Sequence, residues 1–397
     1  MEPILLTEPR DGHRPIFVRT NEELRELSED LISGRYVAMD TERASGFRYE
    51  DRLYLLQLKQ ASIGTFLVDP VEIRSHIGPA LQSSLVTCTW ILHAAVSDLP
   101  ALADAGLRPH HLFDTEVAGR FLGFDHVNLA AMTEAVLGYQ LKKGHGAEDW
   151  SRRPLPRAWL RYAALDVELL IDLAEELSAR LADAGKLAWA EQEFAELVTN
   201  PPVHSPKTFR SLPGLGKLKP RNLNVAAALW DWRDELARDR DLAPGRVLSN
   251  QILRDLAAAA PTQVSQTAAI LQRGHRSPKH AAQWQRVIDR ARAQPASEWP
   301  QPMRRDDENH VPSKSVWKLQ YPEAHATLQR AQELLATTAA ERDMDPILLI
   351  SAQTLRELVW VRVTDNDRTD LTEFLTERGA RPWQLEVTGE SLRQLLG

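Results

Sequence analysis

Cysteine and long apolar runs are scarce in this chain of 397 residues. The single cysteine, Cys88, has no partner for an intramolecular disulfide and excludes a cysteine-rich zinc site. No stretch approaches the roughly 18 apolar residues of a membrane span. Residues 1–8 also lack the basic segment and apolar core of a signal peptide. These absences predict a cytoplasmic protein without a membrane segment.

An excess of positive charge is also absent. The formal net charge is -7, so a nucleic-acid partner has to be bound by local basic patches rather than by a global field. A phosphate-binding loop of the P-loop spacing is missing too, because Leu215-Gly216-Lys217 lacks the rest of that pattern. The sequence therefore predicts no ATP-driven activity.

The first half of the chain mixes strand and helix patterns. Four short apolar runs bounded by turn or polar residues are typical of strands, namely 36–39, 53–58, 65–68 and 87–92. Leucines recur every four residues from Leu165 to Leu181, which predicts a helix with one apolar face. A mixed α/β domain with a mixed sheet is predicted over residues 1–200.

The second half has almost no strand signal and contains a repeat. Asp241, Pro244 and the segment that begins at Ser249 recur 102 residues later with no gap. A repeat of this length indicates a duplicated small helical domain rather than a stacked array. We predict all-α domains over 207–294 and 319–397, a proline-containing linker over 295–318, and helices that resume at Glu323.

Carboxylates occur at three places where they could meet. Asp40 and Glu42 lie two apart at the end of a strand and share a face, and Asp98 follows the last predicted strand. Tyr162 and Asp166 lie four apart on one face of the leucine-striped helix. Taken alone, each has a structural interpretation, such as an acid at a helix start for Asp98. Together they supply oxygen ligands for two Mg²⁺ or Mn²⁺ ions that could hydrolyse a phosphodiester.

Basic and aromatic residues near these acids could hold a nucleic-acid strand. Lys142, Lys143, Arg152 and Arg153 belong to a mainly basic segment before Tyr162 and could contact phosphates, although a solvated surface is an equal alternative. Two aromatic residues after the acidic pair could stack on the terminal base or simply pack in a hairpin: Phe47 and Tyr49. A further basic group ends the first helical domain: Arg273, Arg276, Lys279, Arg286, Arg290 and Arg292.

The ordered set of motifs resembles a known family. Asp40-x-Glu42, His93-x4-Asp98 and Tyr162-x3-Asp166 resemble the three exonuclease motifs of the DEDD superfamily in its tyrosine-bearing branch, DEDDy. The segments around them are similar to the ribonuclease D family, and the duplicated helical blocks are similar to HRDC domains. The resemblance covers nearly the whole chain.

This resemblance implies a 3′→5′ exoribonuclease with an RNase H-like α/β core. Asp40, Glu42, Asp98 and Asp166 would hold two divalent ions, and Tyr162 would orient the attacking water. The expected substrate is RNA with a free 3′ end, and the resemblance favours tRNA precursors. A DNA 3′→5′ exonuclease and a non-catalytic RNA-binding module remain as alternatives. The sequence does not identify a protein partner.

Overall fold

The computed structural model describes residues 2–10, 14–31, 34–73, 77–142, 144–203, 207–215, 218–300, 311–312, 314–364 and 369–396. The strands are β1 Ile4–Leu6, β2 Ile16–Val18, β3 Tyr36–Arg43, β4 Leu53–Gln60, β5 Gly64–Val68, β6 Thr89–Leu92, β7 His111–Asp114 and β8 Tyr139–Leu141. The helices of the first half are α1 Asn21–Asp30, α2 Pro70–Ile73, α3 Ile77–Leu85, α4 Leu99–Asp104, α5 Thr115–Phe121, α6 Leu129–Leu137, α7 Arg157–Glu168, α8 Leu170–Asp183 and α9 Leu187–Thr199.

The helices of the second half form two units. The first helical unit, within 207–300, contains α10 Pro220–Asp239, α11 Pro244–Val247, α12 Asn250–Ala259, α13 Val264–Arg273 and α14 Ala281–Ala293. The second helical unit, within 314–396, contains α15 Lys314–Gln320, α16 Pro322–Ala340, α17 Ala352–Val363, α18 Leu371–Glu377 and α19 Pro382–Leu396. None of the described helices is long and apolar enough to cross a membrane.

A six-stranded mixed sheet forms the centre of the first half. Its order is β2-β5-β4-β3-β6-β7, in which β4 is antiparallel to β3 and β5 while the other neighbours are parallel. All eight residues of β4 are buried, because α1 and α3 cover one face of the sheet and α7 and α8 cover the other. The predicted mixed α/β domain is confirmed.

Local details differ from the sequence prediction in two ways. The four predicted strands are present, but β1, β2, β7 and β8 have only three or four residues each, too few for a recognisable pattern. The leucine stripe is carried by two helices rather than one, because Leu169 leaves the helical conformation at φ -107° and ψ 0°. Leu169 is nevertheless buried, so the apolar face continues across the break.

The duplication in the second half is visible in the structure. The long helices α10 and α16 start 102 residues apart, as do α12 and α17. Ser249 and Ser351 precede the second pair, and each hydroxyl accepts a hydrogen bond from a backbone N–H of the first turn. No strand occurs among the described residues from 207 onward. The all-α prediction is therefore confirmed.

Helices resume earlier than Glu323, where the sequence predicted them to start. The helix α15 begins at Lys314, inside the predicted linker, and Trp317 is fully buried within the core. The Trp317 ring packs on Trp360 with ring centroids 5.2 Å apart. One buried tryptophan thus anchors a segment whose average composition is that of a linker.

Both helical units dock on the first half through the same loop of the repeat. The Ala243 N–H donates to the Phe47 carbonyl oxygen at 3.0 Å, and the Asp345 N–H donates to the Arg120 carbonyl oxygen at 2.8 Å. Ala243 and Asp345 are 102 residues apart. The duplicated loop therefore holds one unit beside the end of β3 and the other at α5.

The second helical unit shares its hydrophobic core with the first half of the chain. The Trp383 ring lies 5.1 Å from Phe121 and 5.6 Å from Trp189, between helices of the first half. Glu193 on α9 accepts hydrogen bonds from the Trp383 indole at 2.7 Å and from Arg381 Nε at 2.7 Å. This interface has the character of a domain core rather than of a transient contact.

Replacing Glu193 by alanine should destabilise the whole chain. The indole and guanidinium donors of the second helical unit would be left without their acceptor, which costs roughly 1–3 kcal/mol for buried groups. We expect a lower urea midpoint followed by tryptophan fluorescence. Glu191→Ala on the exposed side of the same helix is the control, and equal midpoints for the two variants would contradict this account of the interface.

Candidate active site

The first two acidic residues lie at the end of β3, in the middle of the sheet. Asp40 is opposite Gln57 of β4 and Glu42 is opposite Leu55, and the register shifts immediately after Glu42. Such a bulge bends a strand and aims its last side chains. Both carboxylates lie on one face of the strand, with Glu42 buried and Asp40 partly exposed.

The third acidic residue, Asp98, stands between a short 3₁₀ turn and α4. Asp98 occupies the N-cap position of α4, at the helix start as the structural interpretation expected, but its side chain makes no hydrogen bond to the first turn of that helix. Instead its carboxylate accepts a hydrogen bond from the hydroxyl of Thr41, which lies between the two acidic residues of β3. The strand therefore fixes the third carboxylate directly.

The helix α7 brings the fourth carboxylate. Oxygen atoms of Asp40, Glu42 and Asp166 lie within 4.8 Å of one another. These three residues, Asp98 and Tyr162 all line one cavity of about 540 Å³. The structure thus brings together all five residues that the motifs singled out, although they come from three elements distant in sequence.

The acidic cluster is short of positive charge. Burial, followed by the charges of Asp40, Asp166 and Asp98, raises the pKa of Glu42 to about 10. Burial, followed by repulsion from Asp98 and Asp166, raises the pKa of Asp40 well above its usual range. Burial is also the main cause that raises the pKa of Asp98 to about 6 and of Asp166 to about 7.

This electrostatic state and the type of donor fit divalent cations. Four converging carboxylates offer the hard oxygen ligands that Mg²⁺ and Mn²⁺ prefer. A bound cation would favour the ionised carboxylates that burial and mutual repulsion disfavour. Asp40, Glu42, Asp98 and Asp166 are therefore able to hold metal ions in this cavity.

Tyr162 is held in place by the glycine-containing loop before α7. A Cβ atom added to Gly144 would lie 3.1 Å from the tyrosine ring, and one added to Gly146 would lie 3.2 Å from its hydroxyl oxygen. This close approach explains the two glycines. Burial, followed by the charges of Asp166 and Glu42, raises the pKa of Tyr162. Its hydroxyl therefore stays protonated, and it is hydrogen-bonded to Asp166.

Two supporting residues were missed by reasoning from the sequence. Gln57 Nε2 donates to Asp40 Oδ2 at 3.2 Å, and Thr41 donates to Asp98. Gln57 had a detectable signal, since it is a polar residue inside the otherwise apolar run 53–58. Thr41 had none, because its partner lies 57 residues away in the sequence.

The two aromatic residues predicted to stack on RNA face the first helical unit. Phe47 lines the acidic cavity, and the Arg246 guanidinium lies 4.0 Å from the centre of its ring. The Tyr49 hydroxyl donates to Asp234 at 2.9 Å and accepts from Arg238 at 3.0 Å. Tyr49 therefore serves domain docking, while Phe47 stands at the junction of the cavity and the helical unit.

The predicted basic residues have different surroundings. Lys142 and Arg152 are exposed, as expected for phosphate contacts. Arg153 instead forms an ion pair with the buried Asp69 at 2.6 Å and donates to the Tyr54 carbonyl oxygen at 2.7 Å. These interactions give Arg153 a structural role. Lys143 lies outside the described residues.

The half of the chain that holds the mixed sheet and the acidic cavity matches a known class of nuclease. A family model described as 3′-5′ exonuclease matches residues 15–182. The HRDC domain model matches 222–288, and a 3′ to 5′ exonuclease C-terminal domain model matches 310–396. The second helical unit thus matches a different model from the first, although the repeat relates them.

Whole-chain relatives identify the family. Ribonuclease D of Gluconacetobacter diazotrophicus is 30% identical over 358 residues, which cover 87% of this chain and 86% of the relative. The chain belongs to the ribonuclease D family. It is a 3′→5′ exoribonuclease that depends on divalent metal ions and acts on RNA.

Solved structures share the fold of this chain. A protein from Bifidobacterium adolescentis covers 100% of both chains with a TM-score of 0.86 and 33% identity. RNase D of Escherichia coli, described as an exoribonuclease involved in structured RNA processing, covers 97% of this chain and 99% of its own with a TM-score of 0.72. Its identity is 23%, so this second likeness supports the fold alone.

Replacing Glu42 by glutamine should stabilise the metal-free protein and weaken its response to metal. In the metal-free protein the raised pKa keeps the Glu42 carboxyl protonated at neutral pH, which costs stability relative to the unfolded chain, where this group is ionised; glutamine avoids this cost. A metal ion bound only by the folded state stabilises it by mass action, and glutamine removes one of its ligands. In EDTA we expect a higher melting temperature than for the wild type, and with Mg²⁺ a smaller rise. Glu148→Gln at the exposed rim is the control. Equal Mg²⁺-induced rises in wild type and Glu42→Gln would remove Glu42 from the metal site.

Proposed function

We propose that the chain trims structured RNA precursors, tRNA precursors among them, by hydrolysis that uses two divalent ions in the acidic cavity. The observation that carries this proposal is the convergence of oxygen atoms from Asp40, Glu42 and Asp166 within 4.8 Å. Asp98 stands beside them, held by Thr41. Structured RNA is the substrate class named for RNase D of E. coli, whose fold this chain shares. A cytoplasmic location stays a prediction.

The four carboxylates would hold the ions, with Mg²⁺ or Mn²⁺ as candidates. When bound, two such ions favour ionisation of water and stabilise charge on the attacking and leaving oxygens of a phosphodiester. In the reaction the oxygen of a water molecule bonds to the phosphorus of the terminal linkage and the bond from phosphorus to the 3′ oxygen breaks. That 3′ oxygen receives a proton, and the products are a 5′-mononucleotide and an RNA one nucleotide shorter.

Tyr162 would orient the attacking water. Its protonated hydroxyl faces the carboxylate cavity and is fixed by Asp166 and by the loop that contains Gly144 and Gly146. A phenol held in this way can hydrogen-bond a water without competing with carboxylates for a metal ion. The exposed side chains of Lys142 and Arg152 would contact phosphates, which position a strand without reading its sequence.

RNA and DNA of one sequence distinguish the proposed substrate from its main alternative. Hydrolysis in the acidic cavity can cleave a phosphodiester of either polymer, so selectivity for RNA over DNA depends on contacts with the 2′-hydroxyl. We expect a higher kcat/KM for RNA, measured by the progressive shortening of 5′-labelled strands of equal length. Faster degradation of the DNA strand would favour the DNA exonuclease instead.

Asp98→Asn should abolish turnover while the protein remains folded. The amide keeps the size of the side chain and can still accept from Thr41, but it lacks the negative charge that a cation requires. Mononucleotide release and circular dichroism of the same sample provide the test. Asp104→Asn at the end of α4 is the matched control. Turnover near the wild-type rate in Asp98→Asn would exclude Asp98 from the metal-binding set.

Tyr162→Phe should lower kcat by about 10²–10⁴, the usual range for a positioned group that handles a proton. The ring still packs against the glycine loop, so RNA affinity and the thermal response to Mg²⁺ should stay unchanged. Tyr36→Phe at the far end of β3 is the control. If Tyr162→Phe keeps full kcat, the tyrosine is a packing residue of α7 and the proposed orientation of water is wrong.

A further inference from the structure

A second pocket, of about 280 Å³, opens on the first helical unit. Its floor is apolar and includes the buried side chains of Leu271 and Trp284. The described residues that line it include no acid and four basic side chains: Arg240, Arg246, Arg276 and His280. The pocket, called here the basic pocket, therefore suits an anion rather than a cation or an apolar ligand.

The arginines of the basic pocket are not neutralised by carboxylates. Within the described part of the chain none of the three forms an ion pair, whereas the nearby Arg238 pairs with Asp234 at 2.6 Å. Arg246 Nε donates to the Gly46 carbonyl oxygen at 2.7 Å, and Arg276 Nη2 donates to the Gly245 carbonyl oxygen at 2.9 Å. Their positive charge thus remains available to a ligand.

The duplicated unit provides an internal comparison. Arg240 corresponds to Arg342 in the second helical unit, where the guanidinium pairs with Glu341 at 3.5 Å. Arg246 corresponds to Leu348, which is buried in the core shared with the exonuclease half. The same position of the repeat therefore serves packing in one copy and carries an unneutralised charge in the other. Stability of the helical fold does not require arginine there.

Arg246 connects the basic pocket to the acidic cavity. Besides lining the pocket, its side chain contacts Gly46 and the ring of Phe47, and both of these residues line the acidic cavity. The two cavities thus adjoin through a single side chain. A polyanion whose end is bound in the acidic cavity would therefore have its next segment beside the positively charged basic pocket.

We propose that the basic pocket binds a backbone phosphate of the RNA strand, upstream of the 3′-terminal nucleotide held in the acidic cavity. This inference rests on the proposed function, since the acidic cavity defines where the strand ends. Arg240, Arg276 and His280 hold the phosphate, and Arg246 lies between the two sites. Because phosphate contacts carry no sequence information, the pocket increases affinity for longer strands of any sequence.

The test uses the full chain with Arg240→Gln and with the double change Arg240→Gln and His280→Gln. Arg246 is left unchanged because it also contacts the active-site loop. Arg342→Gln, at the same position of the second copy, is the matched control. KM and kcat are measured with an RNA dinucleotide without a 5′ phosphate, whose only phosphate is the one cleaved, and with a longer unstructured RNA.

For the longer RNA we expect KM to rise roughly three- to tenfold in Arg240→Gln and further in the double variant, with kcat unchanged. Dinucleotide turnover should equal that of the wild type. Binding of the longer RNA is measured separately by fluorescence anisotropy in EDTA, which removes divalent ions and so prevents cleavage. There the slope of log affinity against log salt should become shallower by about 0.7 for each phosphate of a single strand that the variant no longer neutralises.

Several outcomes would overturn the proposal. Equal KM values for Arg240→Gln and Arg342→Gln would show that the pocket does not contact RNA. A parallel fall in dinucleotide turnover would instead indicate that Arg240 acts on the active-site loop. If polyglutamate displaces the longer RNA as well as unlabelled RNA does, the pocket binds an acidic protein segment equally well. Absence of cleavage by the wild type would contradict the proposed function, while the anisotropy measurement would still decide about the pocket.

Discussion

The burial of four carboxylates beside one another is the constraint on which the rest of the structure depends. Asp40, Glu42 and Asp166 are confined within 4.8 Å, and burial raises the pKa of each above its ordinary value. Without a bound cation, such a cluster lowers the stability of the folded chain. The interactions of the surrounding fold have to offset this cost. Metal binding and RNA hydrolysis therefore require a scaffold that places like charges together and does not relax.

The scaffold meets this requirement with a doubly covered sheet. The acidic residues of β3 stand beside β4, all of whose residues are buried, and α7 packs across β3, β4 and β5. Hydrogen bonds from Gln57 to Asp40 and from Thr41 to Asp98 then fix two of the carboxylates individually. Rigid elements position such groups more accurately than loops do. The loop of Gly144 and Gly146 completes the site by restraining Tyr162.

The sequence predicts the geometry of the acidic site far better than the surroundings of the residues proposed to hold RNA. Side chains two apart on a strand or four apart on a helix lie on one face, so local spacing already indicates which acidic residues point the same way. The four acidic residues and Tyr162 line one cavity, as expected. Tyr49 and Arg153 carry no comparable signal, because an aromatic ring or a guanidinium serves packing as readily as RNA binding. The ion pair of Arg153 with Asp69 joins residues 84 apart, and short strands such as β7 depend on neighbours that are also remote in sequence. Tertiary contacts of this kind leave no local pattern.

The duplicated helical unit shows how two copies of one fold can take different roles. Both copies dock with the same loop, yet the second contributes Trp383 and Leu348 to a core shared with α5, α8 and α9. Removing the second helical unit would therefore expose apolar surface of the exonuclease half, so the catalytic half is not an independent domain in the thermodynamic sense. The first copy touches the active-site loop through Arg246 and leaves the other arginines of the basic pocket without a carboxylate partner. The two copies thus differ in role. The second helical unit buries its docking face and stabilises the carboxylate scaffold, whereas the first keeps positive charge beside the acidic cavity, on the proposed path of the RNA strand.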